Sequence, residues 1–393
     1  MIQIDSIQAL LKQENIHGWL LYDFRHSNSI ACDVLEISPS THLTRRLFYW
    51  IPQKGVPVAL VSFVETHVVA HLPGETRVYT SLESMREGLK KILPGRLKVA
   101  MEYSFEHHIP TISKVDAGIV EMIKGLGHEV VSSGAFLQQL TCTWDDEQLI
   151  SHREAGEVLN QVADKCWNWV SDQLKQEKVF SEYDIQQFIL KEIEERGCEM
   201  DGPPICGVNH NSANPHYTPN QNTALRVQKG DWILIDLWCK KKGPRAVYAD
   251  ITRVAIADQR PSSKQQEVYH IVRESQRRAT QFVEMKVHQK ESLKGFEVDK
   301  ICRDFITKSG YGDYFTHRTG HNIHTEDHGP GTNIDGFETL DDRLLIPRTC
   351  FSIEPGIYLP NEFGVRQEYD VFIHSNYTVE INGGIQDEIV TLL

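Results

Sequence analysis

The stretch "DWILIDLWCKKKGPRAVYADITRVAIA", residues 231–257, places two acids inside runs that otherwise read as buried β-strand. "DWILIDLW" (231–238) and "AVYADITRVAIA" (246–257) are rich in β-branched and aromatic residues, and "KKKGPR" (240–245) has turn composition. Asp236 and Asp250 lie fourteen residues apart, with Gly243 at the midpoint. Antiparallel pairing about that turn would set the two carboxylates opposite each other on one side of a sheet. Glu354 in "CFSIEPGIYL" (350–359) and Glu368 in "GVRQEYDVFI" (364–373) repeat the spacing of fourteen, with Asn361 at the midpoint. Opposed like charges destabilise a sheet, and a buried, unpaired carboxylate costs several kcal/mol. One acid in such a run is ordinarily an edge or solvent-facing residue. Two matched pairs require neutralisation. Protonation relieves one pair, as in a two-carboxylate protease, whereas two divalent cations balance all four acids. Cations are the reading adopted here.

"HRTGHNIHTEDHG" (317–329) supplies the imidazole that such a site needs. His317, His321, His324 and His328 have helix-like spacing, but the glycines and turn-like surroundings argue against a stable helix. Oxygen-rich ligation with one nitrogen suits Mn²⁺, Fe²⁺, Co²⁺ or Zn²⁺, and a donor set without thiolate argues against a structural zinc cage.

The 393-residue chain predicts two domains. Residues 1–135 read as an α/β domain with strands at 18–23, 45–52, 57–63 and 97–103 and helices at 81–93 and 112–127. No phosphate-cradling loop or acid/base cluster stands out there. A boundary falls near "SSGAFLQQLTCTWDDEQ" (132–148), where Thr143, followed by Asp146, is a candidate cap for a long helix. A second helix over 183–196 stops at Gly197, and the first strand pair follows. Helices at 262–285 and 296–309, the latter stopping at Gly310, precede the second pair. The order helix, helix, strand, strand thus occurs twice and suggests two similar halves.

The net charge of −13 argues against nucleic acid as a partner, because phosphates would be repelled. No apolar run approaches the roughly 20 residues that cross a bilayer. "MIQIDSIQALLKQENIHGWLLYD" (1–23) reads as an amphipathic helix and a strand rather than a signal peptide. Eight scattered cysteines without a C-x-x-C pair read as small buried hydrophobes in a reduced, cytoplasmic protein.

With these residues in hand, 145–393 resembles the pita-bread metallopeptidases, which include methionine aminopeptidase, aminopeptidase P and prolidase. Their ligand order Asp, Asp, His, Glu, Glu falls on Asp236 in "LIDLW", Asp250 in "YADITR", His321 in "TGH", Glu354 in "SIEPGIY" and Glu368 in "GVRQEYD". Residues 1–135 are similar to the N-terminal domain of the creatinase, prolidase and aminopeptidase P branch. The resemblance implies an α/β N-terminal domain and an α+β pita-bread catalytic domain with pseudo-two-fold helix–helix–strand–strand halves. It also implies two divalent cations, Mn first with Co, Zn or Fe as alternatives, and a homodimer or homotetramer. The substrate would be a peptide with proline at its second position, cleaved before that proline by hydroxide bridging the cations. The proline-specific branch carries further residues that match His216 in "ANPHYTP", His317, His328 and Arg366. By resemblance, Glu354 binds metal and shuttles a proton, His317 and His328 hold the peptide and its transition state, and His216 contacts the proline side. Arg366, two before Glu368, would share the metal face and orient a ligand carboxylate or a substrate terminus, with an ion pair to Asp370 or another acid as the plainer reading. Thr252 is a candidate partner of Asp250. Tyr217, Tyr248 and Trp238 read as packing residues.

Two departures touch the pocket. The usual "GHGxG" reads "GHNIH" here, with Asn322 and His324 replacing glycines, and Gly329 follows His328 where an acid is usual. A lyase or other C–N hydrolase on the same fold therefore stays open. A non-catalytic binding module is disfavoured, because such modules lose ligands and this chain has all five. His324 has no counterpart in the pattern.

Overall fold

The computed structural model describes residues 3–393; residues 1 and 2 of the opening segment lie outside the described residues. The chain divides into two compact units, one ending at Leu140 and the other spanning Thr141–Leu393.

In the first unit six strands form one sheet in the order β4-β3-β2-β1-β5-β6. They are β1 (Gly18–Asp23), β2 (Leu47–Pro52), β3 (Val58–Ser62), β4 (Glu75–Tyr79), β5 (Lys98–Met101) and β6 (Glu129–Ser132). Every residue of β1 is buried because the sheet is covered on both faces. Its odd positions, Trp19 and Leu21, join Tyr49 and Phe136, while Leu20 and Tyr22 join Phe48, Met85 and Leu89. The helix expected over 112–127 is shorter, Ala117–Gly125, because Asp116 caps it by accepting from Ile119 N.

The second unit opens with the long helix Asp146–Lys175. Its cap is Asp145, in a reciprocal capping box with Gln148, rather than Thr143. The helices Glu182–Glu195, Ser263–His288 and Gly295–Lys308 lie close to their expected spans. Gly197 and Gly310 follow helix ends with φ of +71° and +88°, a conformation that L side chains resist.

The remaining strands are β7 (Cys198–Glu199), β8 (Ile205–Val208), β9 (Trp232–Lys241), β10 (Ala249–Ile256), β11 (Asn322–Ile323) and β12 (Cys350–Ile353). After them come β13 (Gly356–Leu359), β14 (Phe363–Arg366), β15 (Tyr369–Ile373), β16 (Val379–Asn382) and β17 (Val390–Thr391). β9 and β10 pair antiparallel at the centre of one sheet, and β12 and β15 pair in a second. Strand alternation sorts the hairpin's side chains. Ile233, Ile235 and Leu237 pack with Ala155, Leu159 and Val162, whereas Trp232, Leu234, Val254 and Ile256 pack with Val268 and Val272. Asp236, Asp250 and Thr252 share the face of that second set.

The registers refine the expected pairings. Asp236 lies opposite Thr252, and Asp250 lies opposite Trp238, so the first acid pair is diagonal rather than directly opposed. The offset is two residues, which leaves both carboxylates on the same face. The second hairpin keeps the expected register, with Ile353 opposite Tyr369 and Gly356 opposite Arg366. Asn361, at its turn, has φ of +64°. The runs 350–359 and 364–373 are each broken into two short strands rather than continuous. Pro355 has no N–H to give to a ladder, so Glu354 and Glu368 sit opposite each other in the gap between two pairings.

Glu182, fully buried, organises the segment that carries His216. Its carboxylate accepts from Val208 N (2.6 Å), Leu225 N (2.8 Å), Tyr217 Oη (2.7 Å) and Asn211 Nδ2 (3.0 Å). Removing that acceptor strands several buried donors at once. Glu182→Ala is expected to lower unfolding stability by about 3 kcal/mol or more. Urea denaturation checks this, and a loss below about 1 kcal/mol would show that the segment is held by other contacts.

Candidate metal centre

Asp236 projects from β9, Asp250 from β10, His321 from the loop before β11, and Glu354 and Glu368 from the gap in the second hairpin. All five line one cavity of about 710 Å³, together with His216, His317, His328 and Arg366. His324 is not among the residues lining it; its backbone carbonyl instead accepts from Tyr248 N (2.9 Å).

The loop carrying His321 is pinned from two sides. Asp299, on the helix Gly295–Lys308, accepts from Thr319 N (3.0 Å) and Thr319 Oγ1 (2.7 Å). Ser352 Oγ accepts from His321 N (3.0 Å) and donates to Glu354 Oε1 (3.2 Å). His321 Nε2 then lies 3.4 Å from Glu354 Oε1 and 3.7 Å from Asp250 Oδ2. Ligand atoms of Asp250, His321 and Glu368 all fall within 4.8 Å of one another.

Around these side chains runs a second set of hydrogen bonds. Thr252 Oγ1 donates to Glu368 Oε2 (2.7 Å) and accepts from Arg366 Nε (3.0 Å). Thr252 therefore serves Glu368 rather than Asp250, because the register sets it beside Asp236 and β14. Arg366 forms an ion pair with the ligand carboxylate of Asp236 rather than with Asp370, lies 3.9 Å by Nε from Glu354 Oε2, and donates to Tyr358 Oη (2.9 Å). Tyr358 Oη in turn lies 2.7 Å from His317 Nε2, and His317 Nδ1 lies 2.6 Å from Arg318 O. Both ring nitrogens of His317 are thus engaged by the protein, whereas the expectation was a direct hold on substrate. Asp370, fully buried, accepts from Asp250 N (2.9 Å) and lies 3.8 Å from His152 Nε2.

The electrostatics identify what the cluster lacks. Burial, followed by the neighbouring acids, pushes Asp250 and Glu368 well above the usual carboxylate range. Burial raises Glu354 to about 7. Burial also holds His321 far below its ordinary value, so it stays neutral, the form that ligates metal. Asp236 Oδ1, Asp250 Oδ1 and Glu368 Oε1 are buried without any hydrogen-bond donor. Like charges about 4 Å apart repel by about 4 kcal/mol even at an effective dielectric constant of about 20. One guanidinium cannot balance four such carboxylates. Unsatisfied oxygens, a neutral imidazole and excess negative charge together fit a pair of divalent cations.

Tyr358, Ser352 and Asp299 escaped the sequence reading, and Asp370 entered it only as a partner for Arg366. Each resembles an ordinary strand or helix residue, and only the three-dimensional register shows what it supports. Asp370 alone carried a signal, since it is a further acid in an apolar strand two residues after Glu368. Trp238, read as packing, also lines the cavity and donates from Nε1 to Asp201 Oδ1 (2.6 Å).

Thr252→Val keeps the shape and removes the hydroxyl that links Arg366 to Glu368. Mn²⁺ affinity, measured by chelator competition, is expected to fall about 10–100-fold. Unchanged affinity would show that Glu368 is oriented without this bond.

Residues 151–375 match the model of metallopeptidase family M24. An Xaa-Pro dipeptidase from Lactobacillus helveticus is 32% identical over 237 residues, which are 60% of this chain and 58% of the relative. The match thus spans less than two thirds of that relative's length. In fold, the chain is similar to a prolidase from Thermococcus sibiricus, with TM-score 0.60 and 23% identity over 99% of this chain and 98% of the other. It is also similar to an X-prolyl aminopeptidase from Caenorhabditis elegans, described as a cytosolic enzyme with a di-nuclear active site. There the TM-score is 0.64 and the identity 15%, over 98% of this chain and 62% of the other. With the family model covering more than half of its length, the chain belongs to metallopeptidase family M24.

Proposed function

We propose that this chain hydrolyses the peptide bond before proline, acting on dipeptides or at peptide N-termini. The observation that carries the reading is the convergence of Asp236, Asp250, His321, Glu354 and Glu368 in one polar cavity that also holds His216, His328 and Arg366. The Lactobacillus relative named as an Xaa-Pro dipeptidase supports the same choice. Within this reading, residues 1–135 form a creatinase- and prolidase-like domain, and residues 145–393 form the catalytic domain. The recurring order of two helices and two strands supports pseudo-two-fold halves in the latter. Manganese is the preferred ion by resemblance, as is a homodimer or homotetramer. Eight buried thiols support a reducing, cytoplasmic setting. Among the described residues, no helix is long and apolar enough to cross a membrane.

The five ligands would hold two divalent cations, which when bound would supply Lewis acidity and acidify water. Glu354 accepts the proton of the attacking water and returns it to the departing proline nitrogen. Its Oε1 is steadied by Ser352 Oγ. His328, exposed at the cavity wall, is placed to donate to the carbonyl oxygen as it gains charge. His216, also exposed on the lining, meets the proline side. Arg366 holds Asp236 in orientation, and His317 acts through Tyr358 to hold Arg366.

Metal-loaded protein is expected to cleave alanyl-proline at least about 100-fold faster than alanyl-alanine, a preference worth about 2.7 kcal/mol. Chelation and Glu354→Ala should each abolish turnover. Activity confined to dipeptides would assign a dipeptidase, and activity on longer Xaa-Pro peptides an aminopeptidase. Two bound cations with no Xaa-Pro turnover would overturn the proposal in favour of a lyase or another C–N hydrolase.

A further inference from the structure

The departures at 322, 324 and 329 are a single coupled change, and they deliver an acid that the ligand set does not use. A Cβ on Gly329 would meet Asn322 Oδ1 at 2.4 Å and His324 Cβ at 2.9 Å. The side chains that replace two small residues thus fill the space an acid at 329 would need. Asn322 also accepts from Gly331 N (2.9 Å) and donates to Cys350 O (2.8 Å), which locks the arrangement. The loop is strapped to the first hairpin as well, by Lys240 Nζ to Thr325 O (2.9 Å) and Tyr248 N to His324 O (2.9 Å). Held this way, the chain turns Asp327 into the cavity one position before His328.

Asp327 is 9% exposed, and its buried Oδ1 has no hydrogen-bond partner. Its other oxygen lies 3.7 Å from His328 Nε2, too far for a hydrogen bond. Two arginines line the cavity, and among the described residues neither forms an ion pair with Asp327; Arg366 is committed to Asp236. Asp327 is thus a further buried acid that no arginine pairs among the described residues, and its carboxylate lies within 4.8 Å of ligand atoms of His321 and His328. Asp201, on the same lining, contributes a second carboxylate whose Oδ1 is fixed by the Trp238 indole. A compact cation bearing several N–H donors would satisfy both.

Building on the function proposed above, we propose that Asp327, with Asp201, receives the α-ammonium group of the substrate and so restricts the enzyme to peptides with a free amino terminus. Hydrolysis-resistant analogues of alanyl-proline and of alanyl-alanine, each made with and without the α-amine, are titrated calorimetrically into the metal-loaded protein. The amine forms should bind about ten-fold more tightly, as one charge-assisted hydrogen bond allows. Asp327→Asn should erase most of that preference while leaving the deamino affinities and the cation count unchanged. Asp201→Asn, at an exposed position, should reduce the preference and serves as the test if Asp327→Asn does not fold. A preference that survives in every variant that folds would overturn the proposal. So would loss of a cation in Asp327→Asn, which would make this acid a metal ligand. The proline reading is tested separately: if the alanyl-alanine pair binds as well as the prolyl pair, that reading fails, while the amine preference still decides the role of Asp327.

Discussion

Electrostatic repulsion among buried carboxylates is the constraint on which the C-terminal unit depends. Asp236, Asp250, Glu354 and Glu368 reach one cavity from two hairpins, and three of them carry an oxygen with no hydrogen-bond donor. Removing one charged group from water costs several kcal/mol, and each like neighbour adds to that cost. A soluble fold of ordinary stability, about 5–15 kcal/mol, cannot sustain four such acids without compensating positive charge. Arg366 contributes one charge, directed at Asp236. The rest has to arrive from outside the chain, so folding, ion binding and chemistry are linked through the same atoms.

Much of the remaining architecture holds those acids in place. The antiparallel β9–β10 pairing fixes Asp236 and Asp250 on one face, and the interrupted second hairpin presents Glu354 and Glu368 beside it. The interruption has a plain cause in Pro355. A continuous strand would commit the neighbouring backbone to a ladder, whereas the gap leaves both glutamates at the mouth of two short pairings. Behind them, Thr252, Tyr358 and Ser352 each join one ligand or Arg366 to another group, so that rotamers are set by neighbours before an ion arrives.

The sequence carried the four acids because their signal is local and costly: acids at equal spacing within apolar runs have few explanations, whereas His321 stood out from the other histidines only through the family resemblance. It also carried most elements of the second unit, whose helices have strong periodicity and glycine stops. The diagonal pairing of Asp236 and Asp250 was not legible, since a shift of two residues leaves every side chain on its expected face. The Asp145 cap was hidden among adjacent candidates, Thr143 and Asp146, that serve equally well on paper. Asp327 was hidden differently. Its neighbours His321 and His328 drew attention to metal chemistry, and only the structure shows that Asn322 and His324 fill the space a side chain at 329 would need.

The central claim is that a pair of cations supplies the charge these four acids lack. Crystals grown with Mn²⁺ and measured near its absorption edge test it directly through anomalous difference density. Two peaks enclosed by Asp236, Asp250, His321, Glu354 and Glu368 are the predicted result. Density at neither position, with the carboxylates instead sharing protons or turned toward solvent, would contradict the account.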